Sequence, residues 1–208
     1  MVLEELRCLQ QECTQFFDTL WKETAKPLVF GSGKERAPAF MLIGEAPGEQ
    51  EEREGRPFVG KAGKNLDGFL QVLGLQREDI YISNVVKIRP TKCGASGRLS
   101  NRPPTREEVA LFLPWLMREI MIVQPEALVT LGNVALHAFV SKEETIGQQH
   151  GRWREGLVSS PQIETVNLPL FPLYHPASII YRRELKPVYE QDLVTLRDSL
   201  ERFSKQEG

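Results

Sequence analysis

Two short apolar runs that each stop at a glycine constrain this chain more than any other feature. Phe40-Met41-Leu42-Ile43 ends at Gly44, and Ala127-Leu128-Val129-Thr130-Leu131 ends at Gly132. A continuous apolar run of this length, bounded by glycine, suits a strand buried on both faces. Ile80-Tyr81-Ile82 reads as a further short strand. Leu170-Phe171-Pro172-Leu173-Tyr174 reads as a fourth, with Pro172 at an edge or an end. Helical patterns lie between and around them, over residues 2–23, 64–73, 105–123, 133–140 and 187–203. Thr105 caps the third of these, with Glu107 and Glu108 in its first turn. Strands alternating with helices predict a parallel sheet covered on both faces, an α/β chain. In such sheets ligands sit at the carboxyl ends of the strands. The unusual segments fall there: 44–63 after the first strand, 84–89 after the second and 175–183 after the fourth. Residues 45–63 hold four glycines and two prolines, too broken for a regular element, and 90–104 reads as a long loop.

The 208 residues set a prior of one domain, spanning 1–208, with the N-terminal helix (1–25) packed on its core. Lys plus Arg number 26 and Asp plus Glu 28, a net charge of −2 that excludes a polybasic protein. It leaves room for a local basic face. No apolar run is long enough to span a membrane, and the acidic N-terminus is no secretory signal. Three cysteines, an odd number and widely spaced, argue against a disulfide framework and fit a reducing cytoplasm.

Four features carry candidate chemistry. Gly44-Glu45-Ala46-Pro47-Gly48-Glu49, followed by Gly55-Arg56-Pro57-Phe58-Val59-Gly60, is neither a Walker loop nor a dinucleotide fingerprint. Glycines this dense beside a strand end indicate close backbone approach to a ligand; the plain alternative is a solvated strand-to-helix loop. Phe58 is a core residue or a stacking platform. Asn84 ends a strand and offers a donor and an acceptor together, or simply caps the turn. His175 alone of the three histidines sits just past a strand end, held by Pro176. His137 and His150 have structural defaults. Basic residues surround these loops: Lys61 and Lys64; Lys87, Arg89, Lys92, Arg98 and Arg102; Arg182, Arg183 and Lys186. Taken singly each is a surface charge; together they flank one sheet edge, as a phosphate backbone requires. Ile179-Ile180-Tyr181 is either a wedge for a base stack or a short core helix.

The segments GEAPGEQEEREGRPFVGKAG (44–63), YISNVVKIRP (81–90), NRPPTREEV (101–109), ALVTLGNVAL (127–136) and YHPAS (174–178) together resemble the uracil-DNA glycosylase superfamily, nearest its family 4. The resemblance implies a three-layer α/β/α sandwich on a four-stranded parallel sheet, and hydrolysis of the N-glycosidic bond of deoxyuridine in DNA. It implies that Phe58 stacks on the flipped uracil, Asn84 reads its polar edge and His175 stabilises the departing base. Gly44, Ala46 and Gly48 line the base and sugar, Glu45 stands near the water, and Glu49 crowds the C5 position. Lys61, Lys64, Lys87, Arg89, Ser178, Arg182 and Arg183 are the expected DNA contacts. Relatives with Asp as third residue of the first motif orient water with it; here that place is Ala46.

The family typically carries an iron–sulfur cluster on four cysteines. The corresponding positions here are Phe16, Thr19, Ile88 and Phe112, so no cluster and no metal are expected. Apolar packing of Phe16, Phe112 and Ile88 is expected in the vacated volume, with Cys8 and Cys13 as ordinary helix residues. A related group of covalent uracil binders has a reactive histidine in an extended loop; the insertion at 92–100 has none, and Asn101 stands near that place. The expected partner is uracil-containing DNA, with no membrane, and the chain is expected to act as a monomer. Two alternatives stand beside this reading: a non-catalytic DNA- or nucleotide-binding module, and a glycosylase for hypoxanthine or xanthine.

Overall fold

In a computed structural model, described for residues 2–24, 26–95, 97–160 and 163–206, the chain forms a six-stranded sheet between two helical layers. Its elements in chain order begin with α1 (Val2–Trp21), β1 (Ser32–Gly33), β2 (Met41–Gly44), α2 (Glu49–Glu54), α3 (Lys61–Leu73) and β3 (Tyr81–Asn84). A hairpin follows, β4 (Thr91–Cys93) and β5 (Leu99–Asn101). Then come α4 (Arg106–Val123), β6 (Leu128–Leu131), α5 (Gly132–Leu136), α6 (Ile146–Gln149), β7 (Arg154–Ser160), β8 (Ile163–Leu173), α7 (Pro176–Tyr181) and α8 (Lys186–Gln206).

The sheet order is β1-β3-β2-β6-β8-β7. Its four central strands run parallel, with Leu42 opposite Ile82 on one side and Val129 on the other, and Val129 opposite Phe171. That is the expected parallel core. The antiparallel edge strands β1 and β7 were not expected. Because side chains alternate across a strand, each central strand feeds two apolar layers. Met41, Ile43, Tyr81 and Leu128 face α1 and α4, where they meet Phe17, Phe112, Leu116 and Ile120. Phe40, Leu42, Ile82, Val129 and Phe171 face α3 and α8, where they meet Leu66, Phe69, Leu70, Leu193 and Leu196. Three layers result.

Local chemistry explains several element ends. The Thr105 hydroxyl accepts the Glu108 N–H at 3.2 Å while the Glu108 carboxylate accepts the Thr105 N–H at 2.8 Å, a closed capping box at the start of α4. Pro172 lies in β8 beyond the stretch paired with β7, so its missing N–H costs the sheet little. Two segments read as irregular are partly regular. The stretch 45–63 contains α2 and the first turn of α3. The stretch 90–104 contains the β4–β5 hairpin, turned by Gly97 in a left-handed conformation (φ 76°) whose N–H donates to the Gly94 carbonyl.

The N-terminal helix packs on α4, with a correction to the expected contacts. Phe112 and Ile88 are buried as expected. Phe16 is not: it is 44% exposed, and Thr19 is exposed as well. The inward face of α1 is Leu6, Leu9, Cys13 and Phe17. Phe17, one residue and about 100° further round the helix, stacks on Phe112 with ring centroids 4.3 Å apart, and Trp21 extends the aromatic seam.

Candidate active site at the carboxyl edge of the sheet

The loop after β2 is tied to the end of β3. The Val85 N–H donates to the Gly44 carbonyl at 2.9 Å, and the Val86 N–H to the Glu45 carbonyl at 3.1 Å. This brings Gly44 against Asn84, which is 3% exposed. A Cβ added to Gly44 would collide with the Asn84 amide oxygen and with the Phe58 ring. Gly44, Phe58 and Asn84 are therefore one wall, and only glycine permits it. Phe58 itself adopts φ 54°, a costly conformation for a bulky residue. Arg77 holds it there: Nη2 donates to the Phe58 carbonyl at 2.7 Å and to the Gly63 carbonyl at 3.2 Å, while Nε pairs with Asp67.

His175 is the N-cap of α7. Its Nδ1 accepts the Ala177 N–H at 3.1 Å. An accepting Nδ1 carries no proton, so Nε2 bears the hydrogen and can donate it. Burial pushes the His175 pKa below its usual value, which keeps the ring neutral at neutral pH. The ring stands 6.3 Å from that of Phe58 at an interplanar angle of 30°. Gly132, left-handed at φ 82°, passes behind it; a Cβ there would lie 3.3 Å from His175 Cβ.

Glu45 is partly buried beside Gly44, and burial raises its carboxyl pKa. Ala46 turns its methyl into the apolar layer below, so a water-orienting carboxylate has no counterpart at that position. Gly48 caps α2. Glu49 opens that helix as an exposed side chain paired with Arg89 at 3.5 Å.

Two expected DNA contacts are corrected. Lys87 is 1% exposed. Its ammonium donates to Glu119 Oε2 at 2.6 Å, Ser83 Oγ at 2.6 Å and the Asn84 carbonyl at 2.8 Å, a closed set that leaves nothing for a phosphate. Arg89 is buried as well, its guanidinium spent on Glu49, Glu52 and, at 2.7 Å, Asn101 Oδ1. Lys61, Lys64, Arg182 and Arg183 are exposed, and Ser178 is half-buried on α7. Ile179 packs into the α3–α8 layer, which favours the core-helix reading of 179–181; the side chains of Ile180 and Tyr181 lie outside the described residues.

Three supporting residues escaped the sequence reading. Glu51 accepts the Gly48 N–H at 3.1 Å and the Gly60 N–H at 2.7 Å, clasping both ends of the loop that presents Phe58. The Gly48-x-x-Glu51 spacing, an acid three residues after the helix start, is half of a capping-box signal and could have found it. Arg77 left no such signal. Glu119 accepts from Lys87, Ser83, Tyr81 and the Gly31 N–H. It is an acid among Leu116, Met117, Ile120 and Val123, and an acid on an apolar helix face calls for a buried partner.

The residues at the four cluster positions do not fit an iron–sulfur cluster. None is a thiolate, and Phe112 and Ile88 are sealed in apolar contact. Cys13 lies nearby on α1, but burial pushes its thiol pKa up to about 12, so it stays protonated. Among the described residues, no group of three or more His, Cys, Asp or Glu side chains is placed to hold a metal ion.

The family model of the uracil DNA glycosylase superfamily matches residues 30–195. The chain belongs to that superfamily. It is 37% identical over 186 residues to the type-4 uracil-DNA glycosylase of Saccharolobus solfataricus, covering 87% of this chain and 79% of that protein. It is 34% identical over 197 residues to the type-4 enzyme of Pyrobaculum aerophilum, covering 93% and 92%. A crystal structure of Pedobacter heparinus SMUG2 is similar at a TM-score of 0.48 and 13% identity, covering 82% of this chain and 76% of that one.

Proposed function

We propose that this superfamily member excises uracil from DNA, hydrolysing the N-glycosidic bond and leaving an abasic site. The observation that carries the reading is the neutral His175, its tautomer fixed by the Ala177 N–H, facing Phe58 beside Asn84. On this reading Phe58 stacks on the flipped base. The Asn84 amide pairs with O4 and N3–H, the acceptor and donor of the uracil edge. The C1′–N1 bond breaks with its electron pair leaving on uracil, and His175 Nε2–H donates to O2, where that charge gathers. Water then bonds to C1′ and releases its proton to the Glu45 carboxylate, whose raised pKa makes it the stronger base. With Ala46 in place of an acid, stabilising the leaving anion carries more of the catalysis than activating the nucleophile.

Lys61, Lys64, Ser178, Arg182 and Arg183 contact the phosphates, and Glu49 bounds the C5 side. The reading includes a cluster-free enzyme, in keeping with the apolar seam around Phe112. It also includes a monomer, and a reducing cytoplasmic setting in keeping with the free thiols Cys8 and Cys93. The test is a cleavage assay on oligonucleotides carrying uracil, hypoxanthine, xanthine or thymine, single- and double-stranded. Excision of uracil above the others is expected. Excision of hypoxanthine or xanthine instead reassigns the pocket, and binding without any excision identifies a non-catalytic module.

A further inference from the structure

The Thr91–Asn101 hairpin belongs to neither apolar layer, yet it is firmly anchored. At one root the Arg89 guanidinium bridges Asn101 to Glu49 and Glu52 on α2. At the other, Arg102 Nε donates to the Thr91 carbonyl at 3.0 Å while its Nη atoms form a paired contact with Glu108 at 2.6 and 2.7 Å. The ribbon itself presents Lys92, Cys93, Arg98, Leu99 and Ser100 to solvent. It contains two cations and no acid, and Leu99, at 56%, is more exposed than any other large apolar side chain among the described residues.

Topology places this ribbon. In the parallel order β3-β2-β6-β8, the hairpin follows β3 and α7 follows β8, both at the carboxyl edge. They stand on either flank of the β2–β6 pair, where the Gly44–Gly48 loop lies. A Cβ on Gly48 would sit 3.5 Å from Asn101 Nδ2, so the hairpin's root touches that loop directly. The exposed Arg182 and Arg183 follow α7 on one flank, and the exposed Lys92 and Arg98 lie in the hairpin on the other. Resting on the reading above, we propose that the hairpin is a second DNA-holding arm. It lies in a groove of the duplex flanking the flipped base, with Lys92 and Arg98 on phosphates and Leu99 against apolar sugar and base edges. A two-stranded β-ribbon fits a duplex groove, and a single strand has none, so the arm favours duplex.

The test uses binding alone, so it reads out whether or not excision occurs. A fluorescein-labelled duplex of mixed sequence and its top strand alone are titrated by anisotropy across a salt series. Replacing Lys92 and Arg98 together with Ala is expected to weaken duplex binding about tenfold at low salt and to flatten its log–log salt slope by about 1.8, two phosphates' worth. Leu99→Ala is expected to weaken duplex binding several-fold at an unchanged slope. The single strand should respond far less, and melting temperatures should match the parent because these side chains are exposed. In the unaltered protein, duplex should slow alkylation of Cys93 by N-ethylmaleimide and leave Cys8 on α1 unprotected. Unchanged duplex affinity, equal weakening for both DNA forms, or equal reactivity of Cys93 with and without duplex would overturn the arm. Failure to excise uracil overturns the proposed function alone.

Discussion

The seam between α1 and α4 and the clamps beneath the pocket hold the chain together by opposite means. At the seam, Phe17, Trp21, Phe112 and Ile88 adhere through buried area. Apolar attraction is non-directional, so it fixes that two segments touch more firmly than where their atoms stand. At the pocket, Glu51, Arg77 and Lys87, itself fixed by Glu119, hold backbone atoms through hydrogen bonds of 2.7 to 3.2 Å. These bonds are directional, and they place Phe58, Gly44 and Asn84. The chain uses area where adhesion suffices and directed bonds where a base must be read.

The comparison breaks most visibly at the buried ion pair. Glu119→Ala strands the Lys87 ammonium and should cost about 3–5 kcal/mol in chemical denaturation. The double change Lys87→Met with Glu119→Leu should recover part of that stability: no charge is left unpaired, but the Tyr81 and Ser83 hydroxyls and the Gly31 N–H lose their acceptor. It should still lower uracil excision, since the Asn84 carbonyl loses its anchor. Full recovery of both would make the pair merely structural.

Phe112→Ala should cost about 3–5 kcal/mol as well, while the excision rate at a temperature where the variant stays folded remains near that of the parent. Phe16→Ala, on the half-exposed side of the same helix, loses only the edge contacts with Phe17 and Trp115 and should cost about 1 kcal/mol. Similar losses at the two positions would mean that the helix is rotated from the face described.

Glu51→Gln keeps the shape of the clamp and halves its acceptors. About 1–3 kcal/mol is the usual penalty for a donor left unpaired, and the Phe58 loop should loosen enough to slow single-turnover excision. Phe112→Leu, which removes ring volume and the stacking on Phe17, should do the reverse, lowering stability with little effect on rate.

The smallest expected effect tests Glu45. Burial raises its folded pKa above the unfolded value. Its protonated form is therefore favoured in the fold, and stability is lost as pH rises through the folded pKa. Glu45→Gln should melt slightly higher than the parent near neutral pH, and the gap should close at acid pH. His175 runs the other way: its pKa is depressed, so stability falls as the pH drops below the value of a free histidine.

The parallel core was legible because strands buried on both faces leave continuous apolar runs, and glycine marks their ends. The edge strand β7 was not, because its hydropathy does not follow its burial: Gly156 is buried and Leu157 exposed, so the apolar alternation of a half-buried strand is missing. That Gly44, Phe58, Asn84 and His175 come together was legible because they fall at strand ends and in recognisable motifs. Lys87 and Arg89 were misplaced because charge alone suggests a surface, whereas their partners Glu119, Glu52 and Asn101 are 32, 37 and 12 residues away in sequence. Phe16 was misplaced because matching a neighbouring motif fixes a position in sequence without fixing the face of the helix.

His175 is proposed as the donor to the departing uracil, and single-turnover excision with saturating enzyme tests this most directly. His175→Ala should slow cleavage of a uracil-containing oligonucleotide by about 10²–10³-fold, the usual effect of losing one preorganised donor, with DNA affinity nearly unchanged. A variant that cleaves uracil DNA at close to the parent rate would contradict it.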